Sequence, residues 1–344
     1  MNDEFFNLCD KCLLLFSDHR DVPDRARVFL KSAADEINGL RLYSMADTPL
    51  QLVFLGRTNV GKSTLLNALL GEKIAPVRNG DWSARPVKYS FSSNESLFLA
   101  DSYPLQEIPF STAETVNSAL VQLSTMADRQ KAVGKGHLVV KLNNPILERG
   151  VDFCDMPGLG AAADDGGEIA VHDEDVFRYC KEQEKGAWFY LICNADIPGE
   201  SDMASFRKLI DEVSGFNFSL IINYRKSDRI EERKKALEDK WREELKRHFD
   251  VLYINAKSAK PGDGDYEALI GHLTQHGSFE GRRELVFRML DRIFRETAHY
   301  LHDFCGGKPM RETFKKTHFN VVQKCFENLG RSGLQSILER NQNE

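Results

Sequence analysis

Leu50-Gln51-Leu52-Val53-Phe54-Leu55 runs straight into Gly56-Arg57-Thr58-Asn59-Val60-Gly61-Lys62-Ser63, and Thr64-Leu65-Leu66-Asn67-Ala68-Leu69-Leu70-Gly71 follows. An apolar run that stops at a glycine reads as a buried parallel strand entering a tight loop. The leucines after Ser63 read as a helix over 64–70 closed by a glycine. The eight residues between follow the pattern GxxxxGK[ST]. Its glycines let backbone N–H groups curl around phosphate oxygens, Lys62 reaches the β- and γ-phosphates, and the Ser63 hydroxyl ligates magnesium. A helix N-terminus beneath the loop adds its dipole. Gly56, Arg57, Thr58, Asn59, Val60, Gly61, Lys62, Ser63 and Thr64 are therefore expected to bind a nucleotide.

Outward from this loop, buried-strand patterns recur at 138–142, 151–154, 188–193, 218–222 and 251–254, with helical patterns between several of them. Over 231–249, Leu237, Trp241, Leu245 and Phe249 form a one-sided stripe, and Glu238/Arg242 and Glu243/Arg247 are spaced to pair. Strands alternating with helices predict an α/β fold, a doubly wound and mostly parallel sheet that binds its ligand beyond the carboxyl ends of the strands.

The chemistry-bearing residues stand at those ends. Asp155-Met156-Pro157-Gly158 follows 151–154 with the form DxxG, in which the aspartate holds magnesium through water and the glycine amide senses a γ-phosphate. After 218–222 comes Asn223-Tyr224-Arg225-Lys226-Ser227-Asp228, close to [NT]KxD but with Arg225 in place of the usual Asn or Thr. Lys226 would lie along the base, and Asp228 would accept two hydrogen bonds from a guanine edge, which adenine cannot supply. After 251–254 stands Asn255-Ala256-Lys257, near to SAK, whose backbone amide contacts the guanine carbonyl; Ser258-Ala259-Lys260 is an alternative register. Lys226, Asp228, Ala256 and Lys257 are the expected base-side residues.

The chain's 344 residues exceed one typical domain, so further elements are expected. Apolar residues at helical spacing fill both ends: Phe5 to Phe16 and Val28 to Leu40, then Val286 to Phe304 and Phe314 to Leu329. Residues 281–344 carry 12 basic against 8 acidic side chains and residues 1–48 carry 6 against 9, opposite signs that suit helices packing together. The expected organisation is N-terminal helices over 1–48, a nucleotide-binding domain over 49–275 and a C-terminal helical segment over 276–344, the two ends forming one bundle. With 46 basic and 52 acidic residues the net charge is −6, which offers no field for nucleic acid or anionic lipid. Seven scattered cysteines argue against a disulfide framework; Cys9 and Cys12 form a lone CxxC that reads as two small apolar residues on a helical face. No apolar run approaches the ~18 residues of a membrane span, and the N-terminus lacks a basic flank, so a cytoplasmic location is expected.

The loop and helix 56–71 resemble those of the Era-like translation-factor-class GTPases. The segment from His137 to Leu159, with Asn144-Pro145-Ile146-Leu147-Glu148-Arg149-Gly150-Val151 leading into Asp155-Met156-Pro157-Gly158-Leu159, resembles bacterial dynamin-like proteins. The resemblance covers roughly residues 50–272 and implies magnesium-dependent hydrolysis of GTP to GDP, with nucleotide state relayed through switch segments to the helical flank. A nucleotide-gated scaffold with slow hydrolysis and a membrane-associated assembly factor are the alternatives. It also implies that Ser83, in Trp82-Ser83-Ala84-Arg85-Pro86, ligates magnesium and closes over the γ-phosphate, where the family pattern has threonine. Self-association and peripheral membrane contact come with the dynamin resemblance. Yet no hydrophobic paddle or membrane-spanning hairpin is found, and no GxxG loop of an RNA-binding module.

Leu159 stands where Ras-like enzymes place the glutamine that orients the attacking water. Among Era-like GTPases an asparagine at the position of Asn59 helps to hold a monovalent cation against the phosphates and accompanies the loss of that glutamine. Lys62, Ser83, Gly158 and Asn59 are the expected catalytic residues, and Ser63, Ser83 and Asp155 the metal ligands. Potassium, Arg57 and an arginine from a partner are the three candidates for stabilising the developing charge.

Overall fold

The computed structural model describes residues 6–7, 24–45, 49–77, 86–99, 107–109, 112–125, 137–159, 168–183, 187–196, 200–213 and 217–305. The chain forms two compact units, residues 46–282 and residues 1–45 together with 283–344.

The larger unit is built on a 9-stranded sheet. Its strands are β1 (Leu50–Gly56), β2 (Val87–Phe91), β3 (Ser96–Leu99), β4 (Glu107–Pro109), β5 (Leu138–Leu142), β6 (Val151–Asp155), β7 (Ala187–Asn194), β8 (Phe218–Asn223) and β9 (Asp250–Ile254), in the spatial order β4-β3-β5-β2-β6-β1-β7-β8-β9. β6, β1, β7, β8 and β9 run parallel. β2 reverses direction against β6, β5 runs parallel to β2, and β3 and β4 alternate at the edge. The sheet is therefore mostly parallel with an antiparallel margin. β5 belongs to that margin rather than to the parallel core.

The helices, in chain order, are α1 (Asp24–Ser44), α2 (Lys62–Leu70), α3 (Ala113–Thr125), α4 (Glu168–Gln183), α5 (Glu200–Glu212), α6 (Ile230–Leu245), α7 (Gly264–Gln275) and α8 (Phe279–Cys305). β7 shows why the inner strands read as unbroken apolar runs. Phe189, Leu191 and Cys193 pack into a core with Val176, Phe177 and Cys180 of α4, Phe206 and Leu209 of α5, and Leu237, Trp241 and Leu245 of α6. Trp188 and Tyr190 point to the opposite face, where they meet His272 of α7. Both faces are covered, so alternation between polar and apolar side chains disappears.

α6 ends at Leu245 because Lys246 turns into the left-handed region, φ 50°. Arg247 thus lies beyond the helix, and the expected 243/247 spacing is not helical there. Arg242 does reach Glu238, at 4.0 Å, while Glu243 pairs with Lys240 at 3.8 Å.

In the smaller unit, α1 buries Leu30, Ala33, Ile37, Leu40 and Tyr43, the spacing of one helical face. α8 buries Leu285, Val286, Met289, Leu290 and Ile293. Cys9, Cys12 and the stripe from Phe314 to Leu329 lie outside the described residues. No helix among the described residues is long and apolar enough to cross a membrane.

Candidate functional site

β6, β1, β7 and β8 are neighbours in that order, and residues at the ends of β6 and β8 reach the loop that follows β1. α2 begins at Lys62, two residues earlier than its leucine spacing predicts, so the loop's lysine and serine form the first helical positions. Gly61 precedes them with φ 94°, a left-handed conformation, and a Cβ there would sit 2.4 Å from Asn223 Nδ2. Only glycine meets both conditions.

Lys62 is 8% exposed. Its Nζ donates to Gly56 O and Arg57 O, both at 2.8 Å. These bonds hold the ammonium inside the curl of the loop. Burial lowers its pKa to about 8, against the opposing pull of Asp155.

Asp155 ends β6 and is 4% exposed. Ser63 Oγ donates to its Oδ2 at 3.4 Å, and its Oδ1 is buried with no hydrogen-bond partner among the described residues. Burial raises its pKa to about 6, while Lys62 and Ser63 pull it down. A buried acceptor without a donor calls for a cation, a proton or water. Serine hydroxyl and carboxylate oxygens are hard ligands, and Ser63 and Asp155 fit magnesium on that donor set.

Gly158 packs so tightly on the loop that an added Cβ would meet Thr58 Oγ1 at 2.6 Å and Thr58 N at 2.9 Å. Leu159 N donates to Gly56 O at 3.1 Å, and its side chain is wholly buried. The leucine is thus core packing, unable to orient water. Asn59 has φ 67° and an exposed side chain; asparagine tolerates that left-handed region better than most residues.

Sequence reasoning passed over Asn223, the last residue of β8. Its Nδ2 donates to Val60 O at 2.8 Å, and its Oδ1 accepts from Ala256 N at 3.1 Å. One amide thereby ties the phosphate loop to the loop after β9. The Ala256 amide, expected to face a base carbonyl, is taken up by this bond. Ser258 N closes a turn on Asn255 O, which leaves the Lys257 amide between the two. The available signal was the strand-end position of Asn223.

Asp228 lies in the 3-10 turn Lys226–Asp228. Its Oδ2 accepts from Arg225 N at 2.6 Å and its Oδ1 from Ser227 Oγ at 3.2 Å, so the carboxylate is held by its own turn while Lys226 stays exposed. Each oxygen keeps a second lone pair for a ligand donor. Tyr224 O–H donates to Asp265 Oδ2 at 2.6 Å and pins this turn to α7. Ser83 lies outside the described residues.

Residues 52–223, from β1 to the end of β8, match the model of the Dynamin family. The chain belongs to the dynamin family. Shorter stretches of this dynamin-family chain resemble curated GTPases. Over 74 residues it is 36% identical to GTPase Der of Chlamydia abortus, a match covering 21% of this chain and 16% of Der. Over 51 residues it is 45% identical to the probable GTP-binding protein EngB of Aquifex aeolicus, covering 15% of this chain and 27% of EngB. The chain thus spans well under a third of either relative. Among solved structures, an oligomerised bacterial dynamin pair, described as a mechanism for long-range sensing and tethering of membranes, aligns with TM-score 0.48 and 16% identity, over 88% of this chain and 45% of that one. Era bound to MgGDPNP and 16S ribosomal RNA aligns with TM-score 0.37 and 16% identity, over 64% of this chain and 56% of that one.

Proposed function

We propose that this dynamin-family chain binds GTP and hydrolyses it to GDP and phosphate at the ends of β1, β6 and β8. The observation that carries the reading is the Lys62 ammonium, held by two loop carbonyls beside Asp155, whose buried Oδ1 has no partner among the described residues. Phosphate oxygens are the ligand for such an ammonium. Magnesium, when bound, neutralises charge on the β- and γ-phosphate oxygens; Ser63 and Asp155 would hold it, together with Ser83. Lys62 and the amides of residues 56–64 fix the phosphates, and the Gly158 amide reports a γ-phosphate. Phosphate release from GTP, with ATP as control, tests the reading; no GTP turnover, or equal turnover of ATP, would sink it.

Guanine choice rests on Asp228, Lys226 and the Lys257 amide. Asp228→Asn should weaken GTP about 10-fold or more, the scale of a mispaired polar contact, and favour xanthosine nucleotides. Binding assays with both nucleotides check this, and unchanged GTP affinity would remove Asp228 from the base site.

With Leu159 buried, charge developing between the β- and γ-phosphates needs another stabiliser. The exposed amide of Asn59 fits a potassium ion shared with the phosphates; Arg57 and a partner's arginine are the other two candidates. Turnover should be several-fold faster in potassium than in sodium at equal ionic strength, and Asn59→Ala should abolish the difference without lowering nucleotide affinity. Equal rates in the two salts point to arginine instead.

The chain ends, 1–48 and 276–344, receive the nucleotide signal from the nucleotide-binding domain 49–275. Turnover per molecule at rising protein concentration separates a self-assembling enzyme, which accelerates, from a solitary switch, which does not.

A further inference from the structure

The connection that leaves α2 is held by three asparagines from three elements. Asn144, after β5, donates from Nδ2 to Leu70 O at 2.9 Å, at the C-terminus of α2. Asn117 of α3 donates to Ile74 O at 3.1 Å and Lys73 O at 3.4 Å. Asn67, on α2 itself, grips Ala75 at both backbone groups: its Nδ2 donates to Ala75 O at 2.8 Å and its Oδ1 accepts from Ala75 N at 2.7 Å.

The Asn67 contact differs in kind from the other two. One edge of a primary amide presents an N–H donor and a carbonyl acceptor in a plane, as a neighbouring strand would. Ile74 is 3% exposed and Ala75 wholly buried, so neither Ala75 group can turn to water if the amide is lost. Ser63 and Asn67 are four residues apart on one helix and project from the same face, about 6 Å apart along its axis. The helix that carries the magnesium-binding hydroxyl at its first turn therefore carries, one turn on, the clamp for the segment 71–77. That segment continues in sequence towards Ser83.

We propose that Asn67 is a positioning residue for GTP hydrolysis, tying residues 71–77 to the helix of Lys62 and Ser63 so that the chain sets off towards Ser83 from a fixed point. This rests on the function proposed above. Asn67 acts through the backbone of Ala75, which it holds at both polar groups.

The test compares the wild-type chain with Asn67→Ala and Asn67→Asp. Readouts are kcat and KM for GTP, the magnesium concentration that half-saturates binding of a fluorescent non-hydrolysable GTP analogue, and the affinity for fluorescent GDP in EDTA. Asn67→Ala should lower kcat about 10-fold and raise the half-saturating magnesium about 10-fold, the scale on which residues supporting a metal site act. GDP affinity in EDTA should stay within about twofold, because the phosphate loop is untouched. Asn67→Asp keeps the acceptor for Ala75 N and loses the donor, so it should fall between, and it carries the measurement if the alanine variant does not fold. Unchanged kcat and magnesium dependence in a folded variant would overturn the proposal. So would an equal loss of GDP affinity in EDTA, which would mean damage to the loop itself. A wild-type protein that hydrolyses no GTP would overturn the reading of function and this inference with it.

Discussion

Lys62→Ala should reduce GTP affinity and turnover by at least about 100-fold, the usual scale for removing one preorganised charge-stabilising group, and leave the protein folded. The stability half of this expectation follows from two opposing terms. The side chain donates two hydrogen bonds to Gly56 O and Arg57 O, each worth about 1 kcal/mol net. Against that, burial lowers its pKa from 10.5 to about 8, so keeping the ammonium inside the loop costs on the order of 3 kcal/mol. Alanine forfeits the bonds and relieves the cost, and the terms nearly offset. The measurement is GTP binding and phosphate release beside a thermal melt. Normal turnover in the variant would refute the assignment of the site. A collapsed melt would make Lys62 a pillar of the loop rather than a ligand for phosphate.

Asp155→Asn should abolish magnesium-stimulated turnover, again by at least about 100-fold, yet stabilise the metal-free, nucleotide-free protein near neutral pH. The carboxyl's pKa is raised from 3.8 to about 6, burial being the largest cause. The folded chain thus binds a proton more tightly than the unfolded chain. Between pH 3.8 and 6 the folded state holds the proton that the unfolded state has released, so stability falls as pH rises through 6. Above that window the buried charge costs about 3 kcal/mol. Asparagine imitates the protonated acid and carries no such cost. Denaturant titrations in EDTA should therefore show the variant more stable at pH 7, with the gap closing as pH falls below 4. Parallel stability curves for the two proteins would contradict the buried carboxylate on which the proposed magnesium role of Asp155 rests.

Much of this molecule could be read without coordinates. The run 50–55, the loop 56–63 and five further apolar segments each became a strand or loop within one or two residues of the expected bounds. The reason is local: a strand covered on both faces must be apolar throughout, and a loop around phosphate must be glycine-rich. β2, β3 and β4 left no such mark. Val87-Lys88-Tyr89-Ser90-Phe91 alternates over only 5 residues, too short a run to announce a strand, and it is one because β5 and β6 supply hydrogen bonds on either side. Those partners lie far along the chain, and the short edge pieces β3 and β4 depend on non-local pairing in the same way.

The site divides along the same line. That Lys62, Ser63, Asp155 and Gly158 gather at one loop was legible because each stands in a short spacing after an apolar run. Tertiary structure alone decided what surrounds them. Asn223 became a clamp because Val60 and Ala256 arrive on either side of it, and Gly61 must be glycine because that clamp leaves no room for a Cβ. Asp155 gained its raised pKa from burial, which no spacing announces. A candidate phosphate site is announced by the pattern of neighbouring residues, whereas hydrogen-bond partners, burial and the resulting charge states belong to contacts between distant segments, and only the closed fold brings those together.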